Sequence, residues 1–358
     1  MTQGWETKKL GDVCEINYGT RVVQKKDGGT IYPVYGGGGA TFKMDRYNRE
    51  DCVVVARFAM SNQCVRYVQG KFFLNDSGLS VRTKEEKLSQ EYLDKCIFSL
   101  NDKIYSLGKG VAQKNLDMKE FRHLDINYPC SKDEQSRIVE ELDQLSNIIE
   151  KKRQQLNELE NLAQSIFYDM FGDPVTNEKG WEVKKLKDIS TLLNGRAYKQ
   201  PELLDEGKYK VLRVGNFFTN STYYYSNLEL EEDKYCDNGD LLFAWSASFG
   251  AFIWNGGKVI YHYHIWKVLF DDHYLNIVYY QYLLNMMTKS FMKDVHGIGM
   301  VHLTKNGMEQ YNLPLPPLKL QQLFAQKIEA IENEKELIKH SIKETEELFN
   351  SRMDYYFG

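Results

Sequence analysis

The chain says the same thing twice. GWETKKLGD at positions 4–12 returns as GWEVKKLKD at 180–188, a shift of 176 counted from Trp5 to Trp181. IFYDMFG ends at Gly172 and SRMDYYFG ends at Gly358, a shift of 186. Such a chain folds as two similar bodies plus connectors, which its 358 residues accommodate. Two similar surfaces on one chain suit a target with two parts.

Between the repeated phrases the chain divides into four pieces. Residues 1–131 are mixed and mostly β: VVVARF (53–58) and KFFLNDSGLSVRT (71–83) are strand-like, YGGGG (35–39) is a loop, and EYLDKCIFSL (91–100) is a short amphipathic helix. Residues 132–172 hold a long helix over 132–171. It starts at a capping box, Ser131 to Glu134, and stops at Gly172 and Pro174. Its apolar seam runs Ile138, Leu142, Leu145, Ile149, Leu156, Leu159, Ala163, Ile166, Met170, interrupted by Lys152.

Residues 173–317 repeat the first piece. GDLLFAW (239–245) matches DCVVVAR (51–57), KVIYHYHIWKV (258–268) lies over KFFLNDSGLSV at a shift of 187, and LNIVYYQYLL (275–284) replaces the short helix. Residues 318–358 hold the second long helix, with Phe324, Ile328, Ile331, Ile338, Ile342 and Phe349 in the phase of the first seam. Matched seams favour pairing, and short linkers make it antiparallel. Each helix, about 39 residues, spans about 58 Å. The expected fold is therefore α+β: two similar mostly-β globular domains separated by a pair of long antiparallel coiled-coil helices, a pseudo-two-fold internal repeat. The competing expectation is that each helix packs only on its own domain.

The chain carries few motifs of catalytic chemistry. No P-loop motif occurs, HGIGMVH (296–302) lacks a nucleotide-binding setting, and NYPC (127–130) lacks the second proline and the aromatic of an amino-methyltransferase motif. The six cysteines form no C-x-x-C pair and five lie in the first half, so they are reduced thiols and not a shared disulfide or zinc framework. His262, His264, His296 and His302 occur only in the second half. With 262 and 264 on one strand face they could bind zinc, but Asn75 and Ser77 at the matching places are poor ligands; hydrogen bonds to bases or phosphates fit better. No catalytic constellation recurs in both halves. The expected protein is a recognition protein with no catalytic residue, metal or cofactor. The N-terminus lacks a signal-peptide run and no stretch is long enough to span a membrane, so a cytoplasmic location is expected.

The net charge of −4 argues against a free-standing DNA binder, so DNA contact requires local basic patches or a basic partner. Such patches exist. The first half offers Arg21, Lys25, Lys26, Tyr35, Lys43, Arg46, Arg57, Asn62, Arg66 and Lys114. The second offers Arg196, Tyr198, Lys199, Arg213, Asn216, Trp245, His264 and Lys305. Arg, Lys and Asn on loops are the residue types that read base edges and phosphates. The halves agree in helices and flanking phrases and differ in these loops, as expected of one scaffold that reads two short sequences.

The chain resembles the specificity subunits of type I restriction–modification systems. The resemblance rests on GWE-x-KKL-x-D twice, INYPCSKDEQSRI (126–138), LPLPPLKLQQLFAQKI (313–328) and the two helix ends FGDP and YYFG. It implies two target-recognition domains (1–131 and 173–317), each reading half of a split site in double-stranded DNA. It also implies two conserved spacer helices (132–172 and 318–358) that dock two methyltransferase subunits, with restriction subunits joining where present. S-adenosylmethionine would bind the partner. The competing reading is a duplicated protein- or glycan-binding scaffold without DNA affinity.

Overall fold

The computed structural model describes residues 4–111, 113–218, 222–246, 248–292 and 303–358. The chain forms two compact units: Met1–Arg153 with Lys339–Gly358, and Gln154–Ile338. Each unit holds one mostly-β body and one half of each long helix. The helices run Lys132–Phe171 and Leu318–Phe357, at the bounds their periodicity predicts.

In the first unit, β-branched and aromatic runs build a six-stranded sheet. Its order is Cys14–Tyr18, Gly78–Thr83, Arg49–Ala56, Val65–Leu74, Tyr32–Gly36, Gly39–Met44. All pairings are antiparallel except Tyr32–Gly36 with Val65–Leu74. In the second unit the same path is cut in two. One sheet runs Ser190–Asn194, Ile265–Phe270, Leu241–Ser246, Ser248–Ile253. The other runs Tyr224–Ser226, Tyr209–Leu212, Val259–Tyr261, Tyr235–Cys236, with Tyr209–Leu212 again parallel to its neighbour Val259–Tyr261. The long strand Val65–Leu74 thus corresponds to two strands, Ser248–Ile253 and Val259–Tyr261.

Several local expectations are corrected. KFFLNDSGLSVRT is not one strand: it breaks at Asn75–Ser77, where the Asn75 side-chain oxygen accepts bonds from Ser77 N and Oγ. YHYH breaks at the matching place: His262 makes an isolated bridge to Arg196 and His264 lies in the turn that follows, so the two are not on one strand face. YGGGG is mostly strand, with a turn at Gly37–Gly38 between Tyr32–Gly36 and Gly39–Met44. Part of the first basic loop is a short helix, Gln24–Asp27. LNIVYYQYLL belongs to a 15-residue helix, Ile277–Phe291, longer than its ten-residue counterpart Gln90–Ser99.

The repeated opening phrases are strands that clasp the segments before the long helices. Trp5–Lys9 pairs with Asp125–Pro129, and Glu182–Lys185 with Asn312–Leu315. Beside each clasp sits a fully buried glutamine. Gln135 Nε2 donates to the carbonyls of Lys87 and Pro129, each at 2.7 Å, and its Oε1 accepts from Ser89 N at 2.8 Å. Gln321 Nε2 donates to Tyr274 O and Pro316 O, each at 2.8 Å, and its Oε1 accepts from Asn276 N at 2.8 Å. Ser89 and Asn276 cap the corresponding helices, so one amide ties a helix start to a strand end.

The long helices pair antiparallel within each unit and also pack on the body of that unit. In the first unit Arg352 grips Glu141 with two nitrogens, Tyr356 Oη donates to Glu141 at 2.6 Å, and Lys152 reaches Ser341. The lysine that interrupts the seam thus finds a hydroxyl. Ile138, Leu142, Met353 and Phe357 join the core of that body. In the second unit Lys335 reaches Glu160 at 2.8 Å, and Phe167, Phe171 and Phe324 pack with Tyr279. Leu156, Ile338 and Ile342 are only half-buried, so packing is densest where the helices meet the bodies. All six cysteines are free, five of them buried. Among the described residues no helix is long and apolar enough to cross a membrane.

Candidate nucleic-acid interface

In each unit the strands end in a cluster of loops on a shared backbone frame. In the first unit Gly19 N donates to Gly78 O (3.0 Å), Thr20 N to Leu74 O (3.0 Å), and Asn75 N to Tyr35 O (2.9 Å). Arg57 N donates to Ser77 O (2.8 Å), and Leu116 N to Arg57 O (2.9 Å). In the second unit Gly195 N donates to Ile265 O (3.3 Å), Arg196 N to Tyr261 O (3.0 Å), and His262 N to Leu212 O (2.9 Å). Trp245 N donates to His264 O (3.1 Å), and Leu303 N to Trp245 O (3.3 Å). Five bonds correspond one to one.

Steric fit explains the glycines of this frame. A Cβ on Gly19 would lie 1.8 Å from Asn75 O, and one on Gly195 would lie 2.3 Å from Tyr261 O. Gly36 and Gly37 face similar limits, 2.4 Å from Ser77 Oγ and 2.7 Å from Phe58 O. Only glycine lets these loops close on one another.

Side chains on the frame differ between units. In the first, the Arg57 guanidinium lies 4.8 Å from the Tyr18 ring and 4.5 Å from the Phe58 ring. Arg66 Nη2 donates to Gly37 O (2.9 Å) and Gln63 O (2.8 Å), bracing the glycine turn. Lys114 Nζ lies 4.0 Å from the Tyr105 ring, and Asn62 is exposed with its carbonyl bonded to Asn101. The Tyr35 ring turns edge-on to Phe72 and is half-buried. Arg21, Lys25, Lys26, Lys43 and Arg46 are exposed on the segments that follow the Gly19 loop and on the hairpin beside it. Arg46 lies over Phe73 at 5.6 Å.

In the second unit Arg196 forms a two-nitrogen ion pair with Glu202, at 3.0 and 2.7 Å, and sits over the Tyr198 ring. Arg196, and then the Lys199 backbone N–H, hold the Glu202 carboxyl down at about 2. Tyr198 stacks on His262, and burial drives the Tyr198 hydroxyl pKa upward. Burial, then His264 and Arg213, push the His262 pKa down to about 4, so it is neutral at pH 7. Trp245 Nε1 donates to Tyr263 O (2.9 Å); its ring stacks on Trp266 and meets the His264 ring at 5.2 Å. Arg213 is exposed over Tyr224, while Asn216 is engaged with Arg213 N and Thr222 O. Lys199 is exposed, and Lys305 starts the short helix Lys305–Glu309, 3.7 Å from Glu309. His296 and His302 lie outside the described residues.

The expectation of loop donors is thus modified. Tyr35, Lys43, Arg66 and Trp245 are on strands, and Lys25, Lys26, Asn216 and Lys305 are on short helices. Residue type alone passed over Tyr18, Phe58 and Tyr263, the aromatic side chains that the fold sets beside Arg57 and Trp245. Asn75 and Ser77, which the 187-residue shift sets opposite His262 and His264, sit on the frame itself.

The model of the type I restriction modification DNA specificity domain matches this chain twice, over residues 2–161 and 178–347. The chain belongs to that family. Each match contains one loop cluster and one long-helix segment. The specificity subunit of the type I restriction enzyme MjaIX from Methanocaldococcus jannaschii is 29% identical over 132 residues. That stretch is 32% of this chain and 30% of the relative, so the match spans under a third of the relative's length. Among solved structures, a type I restriction-modification S subunit from M. genitalium superposes with a TM-score of 0.61 at 14% identity, over 99% of this chain and 96% of that one. A chain solved in work on complex assembly and conformational transition of the type I R-M system gives 0.61 at 16% identity, over 100% and 98%. The specificity-domain fold therefore extends over the whole chain.

Proposed function

We propose that this specificity-domain protein is the non-catalytic DNA-recognition subunit of a type I modification system. Each loop cluster reads one half of a bipartite site in double-stranded DNA, residues 1–131 forming one target-recognition domain and 173–317 the other. Residues 132–172 and 318–358 form the spacer that holds two methyltransferase subunits, which bind S-adenosylmethionine and methylate adenine. Restriction subunits join where the host encodes them. The complex works in the cytoplasm, where the DNA is.

One observation carries this reading: the two units share a backbone frame bond for bond but present different side chains on it. A catalytic duplication keeps its reacting groups; a reader keeps its scaffold and varies its contacts. The acidic balance of the chain fits shared phosphate contact with partner subunits. The test exchanges residues 173–317 for those of another family member and maps methylated adenines by single-molecule sequencing in cells that also express the methyltransferase. One half of the recognised sequence should change and the other should persist. A change in both halves, or none, overturns the proposal.

A further inference from the structure

The shared frame identifies which side chains occupy equivalent places. Through the corresponding bonds Thr20 matches Arg196, Arg57 matches Trp245, Tyr35 matches Leu212, and Asn75–Ser77 matches His262–His264. The pair Arg57 and Trp245 differs most in what it can offer a base. Arg57 directly follows the inner strand Arg49–Ala56 and Trp245 lies near the end of the inner strand Leu241–Ser246; both have the backbone N–H and carbonyl fixed by the frame, so their side chains leave from equivalent points.

Arg57 is held but not used. Its guanidinium lies between two rings, Tyr18 and Phe58, which are 41% and 38% exposed. Among the described residues its side chain has no hydrogen-bond or ion-pair partner. Aromatic contact fixes the plane of the fork and limits the rotamer entropy that binding must cost, while leaving five N–H donors unspent. Two residues on, Ala59 sits at a φ of +47°, a strained conformation of the kind that marks ligand-contact loops. By contrast, the Trp245 ring is locked by stacking on Trp266, and its single donor goes to Tyr263 O. That position offers a surface and no donor.

We infer that Arg57 fixes one guanine in the half-site read by the first unit, and that the matching position in the second unit reads by shape alone. The fork of an arginine matches the O6 and N7 acceptors of guanine in the major groove, a pattern no other base presents. The inference rests on the DNA-recognition reading above and assigns it a base and a residue.

The experiment selects from a randomised duplex library at fixed salt, using the full chain co-expressed with its methyltransferase subunits. Wild type should yield two half-sites, one with an invariant guanine. Arg57→Lys keeps the charge and loses the rigid planar fork, though an ammonium still donates to O6 and N7; the preference for that guanine should fall roughly 5-fold, with the other half-site unchanged. Arg57→Gln should shift the same position toward adenine, which glutamine matches with two bonds. Thermal melting checks that both variants fold. If Arg57→Gln weakens binding to all sequences alike and flattens the salt dependence while Arg57→Lys keeps the wild-type sequence preference and salt slope, Arg57 grips phosphate and the inference fails. If neither variant alters binding, it fails as well. If wild type selects no bipartite sequence, the DNA-recognition proposal itself falls.

Discussion

Removing the Gln135 amide tests how the body of the first unit is fastened to its long helix. In Gln135→Ala three bonds vanish: those to the carbonyls of Lys87 and Pro129 and that from Ser89 N. An unsatisfied buried polar group costs about 1–3 kcal/mol. The Pro129 bond is wholly buried, whereas the other two are partly buried and water relieves part of their loss. The total is about 3 kcal/mol. For units of this size that lowers Tm by about 6–12 °C. Gln135→Glu is the sharper variant because its shape is the same. A carboxylate still accepts from Ser89 but turns negative charge on two carbonyl oxygens. Its folded pKa is therefore raised above the unfolded one, and the native state binds the extra proton. The instability should be greatest at pH 8 and shrink as pH falls through the carboxylate range.

Cysteine alkylation gives a unit-specific readout. Cys14 and Cys96 lie in the core of the first unit and Cys236 in the second; burial pushes each of these thiols up to about 12, so labelling requires opening. Gln135→Ala should speed labelling of Cys14 and Cys96 by roughly 100-fold and affect Cys236 far less. Gln321→Ala should do the reverse. A Gln135→Glu protein that labels like wild type at pH 8 would show that the glutamine fills space and nothing more.

Two further outcomes follow from the loop frames. The folded pKa of Glu202, depressed to about 2 by Arg196, means that the Arg196–Glu202 pair is fully formed above pH 4.5 and is lost only as pH falls toward 2; a Glu202 carboxyl that titrates near 4.5 by carbon-13 NMR would remove the pair. Gly19→Ala drives a methyl into Asn75 O and should cost about 3 kcal/mol or more, abolishing selection of one half-site while the other survives; library selection showing both half-sites intact would refute the fit argument.

Much of the architecture was legible because it is written in local periodicity. The seam from Ile138 to Met170, opened by Ser131 and closed by Gly172, sets its helix without reference to anything distant. Duplication was legible because phrases such as GWE-x-KKL serve the same clasp twice. The turn at Asn75–Ser77 was not, since KFFL and GLSV both favour strands and the break depends on which neighbours they pair with. Arg66 and Arg196 likewise looked like loop donors, yet they are spent on Gly37 O and Glu202, partners that no spacing rule finds.

By itself, then, the sequence determined the count of bodies, the two helices, their shared register and the absence of a repeated catalytic set. Each of these depends on residues within a few turns of one another or on plain repetition. Only the tertiary structure decided that Gln135 and Gln321 are clamps, that Arg57 is poised between two rings, and that Trp245 stands in the equivalent place. Those roles depend on hydrogen bonds and ring contacts between segments tens of residues apart, and such partners are chosen by the packed sheet and not by the chain's local pattern.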